Sequence, residues 1–166
     1  TGEIRAVLDR IDWNVEHARA VVAPRAVSNG EVEERVTCEP VGVVAHVSAW
    51  NYPYFVGLNT IVPALLAGNA VLYKPSEFAT LTGLHIAEML HEAGIPRDVF
   101  VPVVGDGATG AALVRQPIDG IFFTGSYATG AKIAAAAGRR MIKVQLELGG
   151  KDPVYVCEDV DVRTAA

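Results

Sequence analysis

Between residues 41 and 77 the chain passes from an almost unbroken apolar run to a helical period and back to an apolar run. Residues 41–47 (VGVVAHV) carry no charge and four valines in seven positions, a composition that suits a strand covered on both faces. A turn, Ser48-Ala49-Trp50-Asn51-Tyr52-Pro53, leads into a helix over 54–67, and a strand over 70–74 ends in Lys74-Pro75-Ser76-Glu77. The alternation continues with strands over 99–104, 120–124, 143–147 and 153–157 and helices over 81–93, 107–115 and 127–138. Gly68-Asn69 and Gly94 stand just past helix ends, where a left-handed residue closes the last turn, and Pro96 follows the second. Pro63 is expected to kink its helix, because the ring displaces a carbonyl and has no amide hydrogen. Strands and helices alternating over short links predict an α/β fold, an open parallel sheet with helices on both faces. Ligands of such sheets sit beyond the carboxyl ends of the strands, where Asn51 and Lys74 both fall.

Ahead of this region, Ile4, Val7, Leu8, Ile11, Val15, Ala18 and Val22 recur at three- and four-residue spacing, which predicts a peripheral helix with one buried face over 4–23. Short alternating runs around Ser28-Asn29-Gly30 predict a hairpin returning over 32–37. Its charges, Glu31, Glu33, Glu34 and Arg35, suit a projecting or edge hairpin. The chain divides into a helix (1–23), a hairpin (24–38) and a sheet domain (39–166).

At 166 residues, 51% apolar and 20% charged, the chain is long and apolar enough for one globular core. Its net charge of −5 gives no footprint for nucleic acid or an anionic membrane surface. The basic cluster Arg139, Arg140 and Lys143 reads as a solvated helix end. Cys38 and Cys157 share no metal-ligand spacing with each other or with the histidines, so both read as reduced packing residues of a cytoplasmic protein, with a disulfide the lesser alternative, and no metal is expected. His17, His46, His85 and His91 show no partner pattern and are assigned to structure. No apolar run is long enough to span a bilayer, the opening residues are not a signal peptide, and the ends of the sequence suggest a fragment.

Five segments hold polar or glycine-rich turns at strand ends. Gly105-Asp106-Gly107-Ala108-Thr109-Gly110 matches Gly-x-Gly-x-x-Gly, but the next strand ends at Phe123-Thr124-Gly125-Ser126 without the acidic residue that a dinucleotide fingerprint expects; phosphate contact and a tight packing turn both stand. Ser126 opens a helix, where it either faces an anion or caps the free amides itself. Lys74 and Glu77 form either a surface ion pair or a clamp on a ribose diol, in which the carboxylate would repel a 2'-phosphate and favour NAD. Glu147, in Glu147-Leu148-Gly149-Gly150-Lys151, is a candidate general base whose partial burial would raise its pKa; the alternative is a solvated turn. Asn51, beside the flat ring of Trp50, either presents an amide to an oxyanion or closes an Asx-turn on itself.

The order of the segments EPVGVV, AWNYP, PALLAGNAVLYKPSE, a Gly-x-Gly turn, FTGS with Gly130, and LELGGK resembles the NAD(P)-dependent aldehyde dehydrogenase superfamily from residue 39 to 161. The resemblance implies a Rossmann-like fold and NAD as cofactor, with NADP the alternative. It makes Asn51 the donor to a thiohemiacetal oxyanion and Glu147 the base that activates the deacylating water. Trp50 and Ser126 would lie along the pyrophosphate, Lys74 and Glu77 on the adenosine ribose, Gly107 beside the adenine, and Leu148 and Gly149 near the nicotinamide. Ser48, Ala49, Ser76, Phe123, Thr124 and Gly125 complete the implied cofactor-binding set. Ala49 departs from the proline common at that position. The hairpin resembles part of the family's oligomerisation arm, which implies a homodimer or homotetramer, and the partner molecule would be a small aldehyde.

The family reaction needs a cysteine thiolate, which the resemblance puts a few tens of residues beyond the ELGG motif. Neither Cys38 nor Cys157 stands in that place, so the chain is expected to be a piece of an aldehyde dehydrogenase, inactive alone. Two other readings stay open: a non-catalytic nucleotide-binding or structural module, and an acyl-phosphate or acyl-CoA reductase, which would be expected to lack a working base at Glu147.

Overall fold

The computed structural model describes residues 2–28, 30–161 and 163. The elements in order are α1 (Gly2–Val22), β1 (Arg25–Ser28), β2 (Glu33–Val36), β3 (Val43–Val47), α2 (Pro53–Leu66), β4 (Ala70–Lys74), a 3-10 turn (Glu77–Ala79), α3 (Thr80–Glu92), β5 (Phe100–Pro102), α4 (Gly107–Val114), β6 (Gly120–Gly125), α5 (Tyr127–Gly138) and β7 (Lys143–Leu148). Strands β3 to β7 form one five-stranded sheet in the order β5-β4-β3-β6-β7, and every pairing in it is parallel. This is the α/β open parallel sheet expected from the alternation, and the Rossmann-like architecture that the resemblance implies, with β3 at the centre.

The valine-rich run is central because it has two apolar faces to fill. Val44 faces a core of Leu58, Ile61, Val71, Tyr73, Ile86 and Phe100 under α2 and α3, while Ala45 faces Leu113, Ile121, Phe123, Ile133 and Ala137 under α4 and α5. A second set of contacts ties the amino ends of the strands. Asn69, buried after α2, accepts from the Gly42 amide (3.0 Å) and donates to the Ala64 carbonyl (2.9 Å), and the Asp119 carboxylate accepts from the Val43 amide (2.8 Å). Gly68 and Gly94 take φ of +84° and +98° beyond α2 and α3, the left-handed closures that their positions predict. Helix α2 runs through Pro63 without interruption.

Several expectations need correction. Helix α1 forms, yet Val7 is its only buried residue and Ile4, Leu8 and Val15 are exposed, because α2 covers a narrower strip than the apolar stripe provides. The hairpin pairs Arg25 with Val36 through Ser28 with Glu33, and all eight strand residues are exposed; Asn29, its expected turn residue, lies outside the described residues. No strand forms over 153–157, which is irregular and exposed, since alternation alone supplies no neighbour to pair with. Cys38 and Cys157 are free but exposed, so neither packs a core. Arg140 is no merely solvated helix end: its guanidinium donates to the carbonyls of Val114 (3.0 Å), Gln116 (2.5 Å) and Ile118 (3.4 Å), tying α5 to the link before β6. Among the described residues no helix is long and apolar enough to cross a membrane.

His17 stacks on Trp13 with centroids 4.5 Å apart, His91 shares a hydrogen bond with the Ile95 carbonyl (3.0 Å), and His85 lies 3.8 Å from Glu88. His46, in β3, is the exceptional one. It is buried against Tyr73, with ring centroids 5.6 Å apart, and among the described residues neither ring nitrogen has a hydrogen-bond partner. Burial pushes its pKa down to about 4, with the Val56 and Phe122 backbone pulling weakly the other way. The unfolded chain takes up this proton near pH 6.5 and the folded chain only near 4, so stability falls as pH drops through that window. The loss should reach about 3 kcal/mol at pH 4. Urea unfolding at pH 7, 5.5 and 4.5 checks this: His46→Phe should flatten the acid limb, and equal slopes for the two proteins would exclude His46 as its source.

Candidate functional site

The order β5-β4-β3-β6-β7 puts the switch point between β3 and β6. The chain leaves β3 for β4 and β5 on one side, then returns to lay β6 and β7 on the other. Connections leaving neighbouring strands in opposite directions open a crevice at the carboxyl ends, the usual ligand position in such sheets. Val47 lies level with both Lys74 and Phe123, and Thr124 with Glu147. Register therefore brings the ends of β3, β4, β6 and β7, with the turns carrying Asn51 and Ser126, to one rim.

On the β3 side, the Ser48 amide extends the ladder by donating to the Lys74 carbonyl (3.0 Å), and its buried hydroxyl donates to the Ala49 carbonyl (3.4 Å). Ala49 is half-buried, whereas Trp50 and Asn51 are exposed. The Asn51 amide makes no hydrogen bond among the described residues, so the Asx-turn alternative is not adopted. Below this turn Tyr73 spans the core: its hydroxyl lies 3.0 Å from where a Cβ on Gly57 would sit, and burial pushes its phenol up to about 12, opposed by the Ser48 hydroxyl.

Helix α2 opens on Pro53, which has no amide hydrogen, and Tyr52 provides no side-chain cap. The next two amides, of Tyr54 and Phe55, both donate to Glu3 Oε1, at 2.9 and 3.0 Å. Residue-by-residue reading missed Glu3, since the contact spans about fifty residues of sequence. The available signal was negative: a helix start with no capping residue of its own.

On the β4 side Lys74 is buried while Glu77 is half-exposed, their charged atoms 3.6 Å apart, so this is no ordinary surface pair. Lys74 Nζ donates to the Pro75 carbonyl (2.9 Å), its one hydrogen bond among the described residues, although an ammonium offers three donors. Its stem crosses Gly110 of α4, where an added Cβ would touch Cδ at 3.5 Å. Ser76 is buried and its hydroxyl accepts from the Phe78 amide (3.3 Å) to cap the 3-10 turn. Gly83 of α3 lies directly against the Pro75 ring, leaving no space for a methyl group.

Asp106 caps α4, its carboxylate accepting from the Ala108 (2.9 Å) and Thr109 (3.3 Å) amides, so a negative group already occupies the place a phosphate would take. Gly107 is exposed with open space around it. Ser126 likewise caps its own helix, accepting from the Thr129 amide (3.3 Å) and donating to Thr129 Oγ1 (3.1 Å).

Phe123 is buried, and Thr124 and Gly125 are half-buried. Gly130 admits Leu148, which an added Cβ would meet at 2.5 Å, and the Gly149 amide donates to the Gly125 carbonyl (3.2 Å). Glu147 is exposed on the edge strand, so the burial expected for it is not supplied by the described residues.

The sequence model of the aldehyde dehydrogenase family matches residues 1–166. Over 170 residues the chain is 39% identical to a 4,4'-diapolycopene aldehyde oxidase from Methylomonas sp, covering 99% of this chain and 32% of that protein. An aldehyde dehydrogenase of Mycobacterium tuberculosis solved with NAD+ superposes with a TM-score of 0.89 at 37% identity, over 96% of this chain and 33% of that one. An NAD-dependent aldehyde dehydrogenase from Sinorhizobium meliloti gives 0.86 at 38%, over 92% and 31%. The chain thus spans about a third of the length of these relatives. With the family matched from end to end and the fold shared closely, the chain belongs to the aldehyde dehydrogenase family.

Proposed function

We propose that the protein containing this chain oxidises an aldehyde to a carboxylic acid with NAD, and that residues 39–161 supply its cofactor platform, an oxyanion donor and a general base. The observation that carries this reading is one rim of one sheet holding an asparagine amide and a buried lysine whose ammonium, among the described residues, makes one hydrogen bond and faces one carboxylate at 3.6 Å. A buried charge so under-satisfied calls for acceptors from outside, and the hydroxyls of a ribose suit it. Glu77, half-exposed beside it, would accept from the same diol.

When bound, the nicotinamide supplies the acceptor for the aldehyde's two electrons. The chain's own residues bind, orient and move protons. Trp50 and Ser126 would line the pyrophosphate, Ser126 keeping its cap, with Ser48, Ala49, Ser76, Phe123, Thr124 and Gly125 shaping the turns beneath. Gly107 would lie by the adenine and Leu148 and Gly149 by the nicotinamide. Asn51 would donate to the oxygen that becomes negative when a cysteine thiolate adds to the carbonyl, and Glu147 would take the proton from the water that releases the acid. The nucleophile would come from outside residues 1–166, because Cys38 precedes β3 at the amino-end side of the sheet and Cys157 lies in the irregular segment after β7. The exposed hairpin supports a homo-oligomer, dimer or tetramer.

Incubating the full-length protein with NAD and a panel of aldehydes tests the reading. Acid formed in equal amount to NADH supports it; turnover only with an acyl-CoA or acyl phosphate would favour the reductase reading, and none with any of these a binding module. Cofactor choice gives a further prediction. Glu77→Gln removes the carboxylate that repels a 2'-phosphate and should narrow the ratio of kcat/KM for NAD over NADP by about tenfold, equivalent to about 1.4 kcal/mol. An unchanged ratio would remove Glu77 from the ribose site.

A further inference from the structure

Helix α2 begins two residues after Asn51, and its first turn cannot satisfy itself. Pro53 has no amide hydrogen, Tyr52 contributes no side chain, and only with Val56, whose amide donates to the Tyr52 carbonyl (2.9 Å), does the helix's own ladder begin. The two amides between them converge on a single carboxylate oxygen from another helix, Glu3 Oε1. Glu3 is half-buried and pairs with no cation among the described residues, so the positive end of α2 is its counter-charge. A carboxylate accepting two backbone amides is a charge-assisted, directional contact, stiffer than a surface ion pair.

We propose that Glu3 is a positioning residue for Asn51. By fixing the first turn of α2 from α1, it fixes the direction in which the turn Ser48-Ala49-Trp50-Asn51-Tyr52 delivers the amide to the crevice. The proposal rests on the oxyanion role given to Asn51 above. Asn51 is exposed and its side chain is held by no hydrogen bond of its own among the described residues, so its aim depends on the backbone at either end of the turn. At the β3 end the Ser48 amide is fastened to Lys74; at the α2 end the fastening is Glu3. Loss of the carboxylate frays the helix start and lets the amide wander, and a displacement near 1 Å at a catalytic donor is enough for a large loss of rate.

The test is a double-mutant cycle in the full-length protein, reading kcat/KM for the aldehyde and the dissociation constant for NAD. Glu3→Ala should lower kcat/KM by about 10- to 100-fold while weakening NAD binding by much less, because Lys74 and Glu77 stand on a separate strand end and of the proposed cofactor contacts only those of the Ser48–Trp50 turn are disturbed. In an Asn51→Ala background the same change should cost less than about threefold, since the group it positions is gone. Glu3→Gln, which keeps an acceptor oxygen, should recover most of the lost rate. Should Glu3→Ala not fold, Glu3→Asp, one methylene too short to reach both amides, gives the same readout. Equal losses with and without Asn51, or a parallel loss of NAD binding, would overturn the positioning role alone. An Asn51→Ala protein as active as the wild type would overturn the oxyanion reading beneath it.

Discussion

Asn51→Ala in the full-length protein is expected to lower kcat for aldehyde oxidation by about 10²- to 10³-fold, the usual loss when one oxyanion donor is removed. On the proposed reading the amide is free to donate there, because it stands by the switch point of the sheet and makes no hydrogen bond among the described residues. Because it acts while the nucleophile adds, both the first turnover and the steady rate should fall together. Stopped-flow absorbance of NADH separates the two phases. A first turnover at the wild-type rate would show that Asn51 takes no part in forming the oxyanion.

Glu147→Gln should behave differently. The carboxylate is assigned to the later step, so the variant should retain a rapid first NADH per site and then turn over about 10²- to 10⁴-fold more slowly, as expected on loss of a general base. The acyl-enzyme should accumulate and be visible as added mass. Loss of the burst along with the steady rate would place the carboxylate ahead of hydride transfer. Within the described residues Glu147 is level with Thr124 on an exposed edge, so any drying of its environment must come from material packed over β7.

The sheet is legible where the signal is local. An uncharged valine-rich run suits a doubly covered strand, and β3 is central; glycines beyond α2 and α3 have the left-handed backbone their positions demand. The inferences that fail are those that need a neighbour. The apolar stripe of α1 is wider than the surface offered by α2, leaving Leu8 and Val15 in solvent. Residues 153–157 alternate like a strand but find no strand beside them. Residue type alone assigns Cys38 and Cys157 to packing, and both are exposed. The candidate site is legible as an order of motifs, and the strand order brings the turns that carry it to one rim. Its supports are not: Glu3 reaches α2 from about fifty residues away, and Gly83 matters only because Pro75 is pressed against it. Asp106 and Ser126 show the converse, since each spends its oxygen on its own helix, the commoner local outcome.

The unequal burial of Lys74 and Glu77 separates two kinds of evolutionary freedom. The lysine is sealed between β4 and α4, so exchanging it disturbs the interior and every lineage would have to rebuild around the gap. The glutamate sits half in solvent at the start of a short turn, where a new side chain meets mostly water. On the proposed ribose role of Glu77, a preference between the two nicotinamide cofactors could drift at position 77 with little disturbance of the interior.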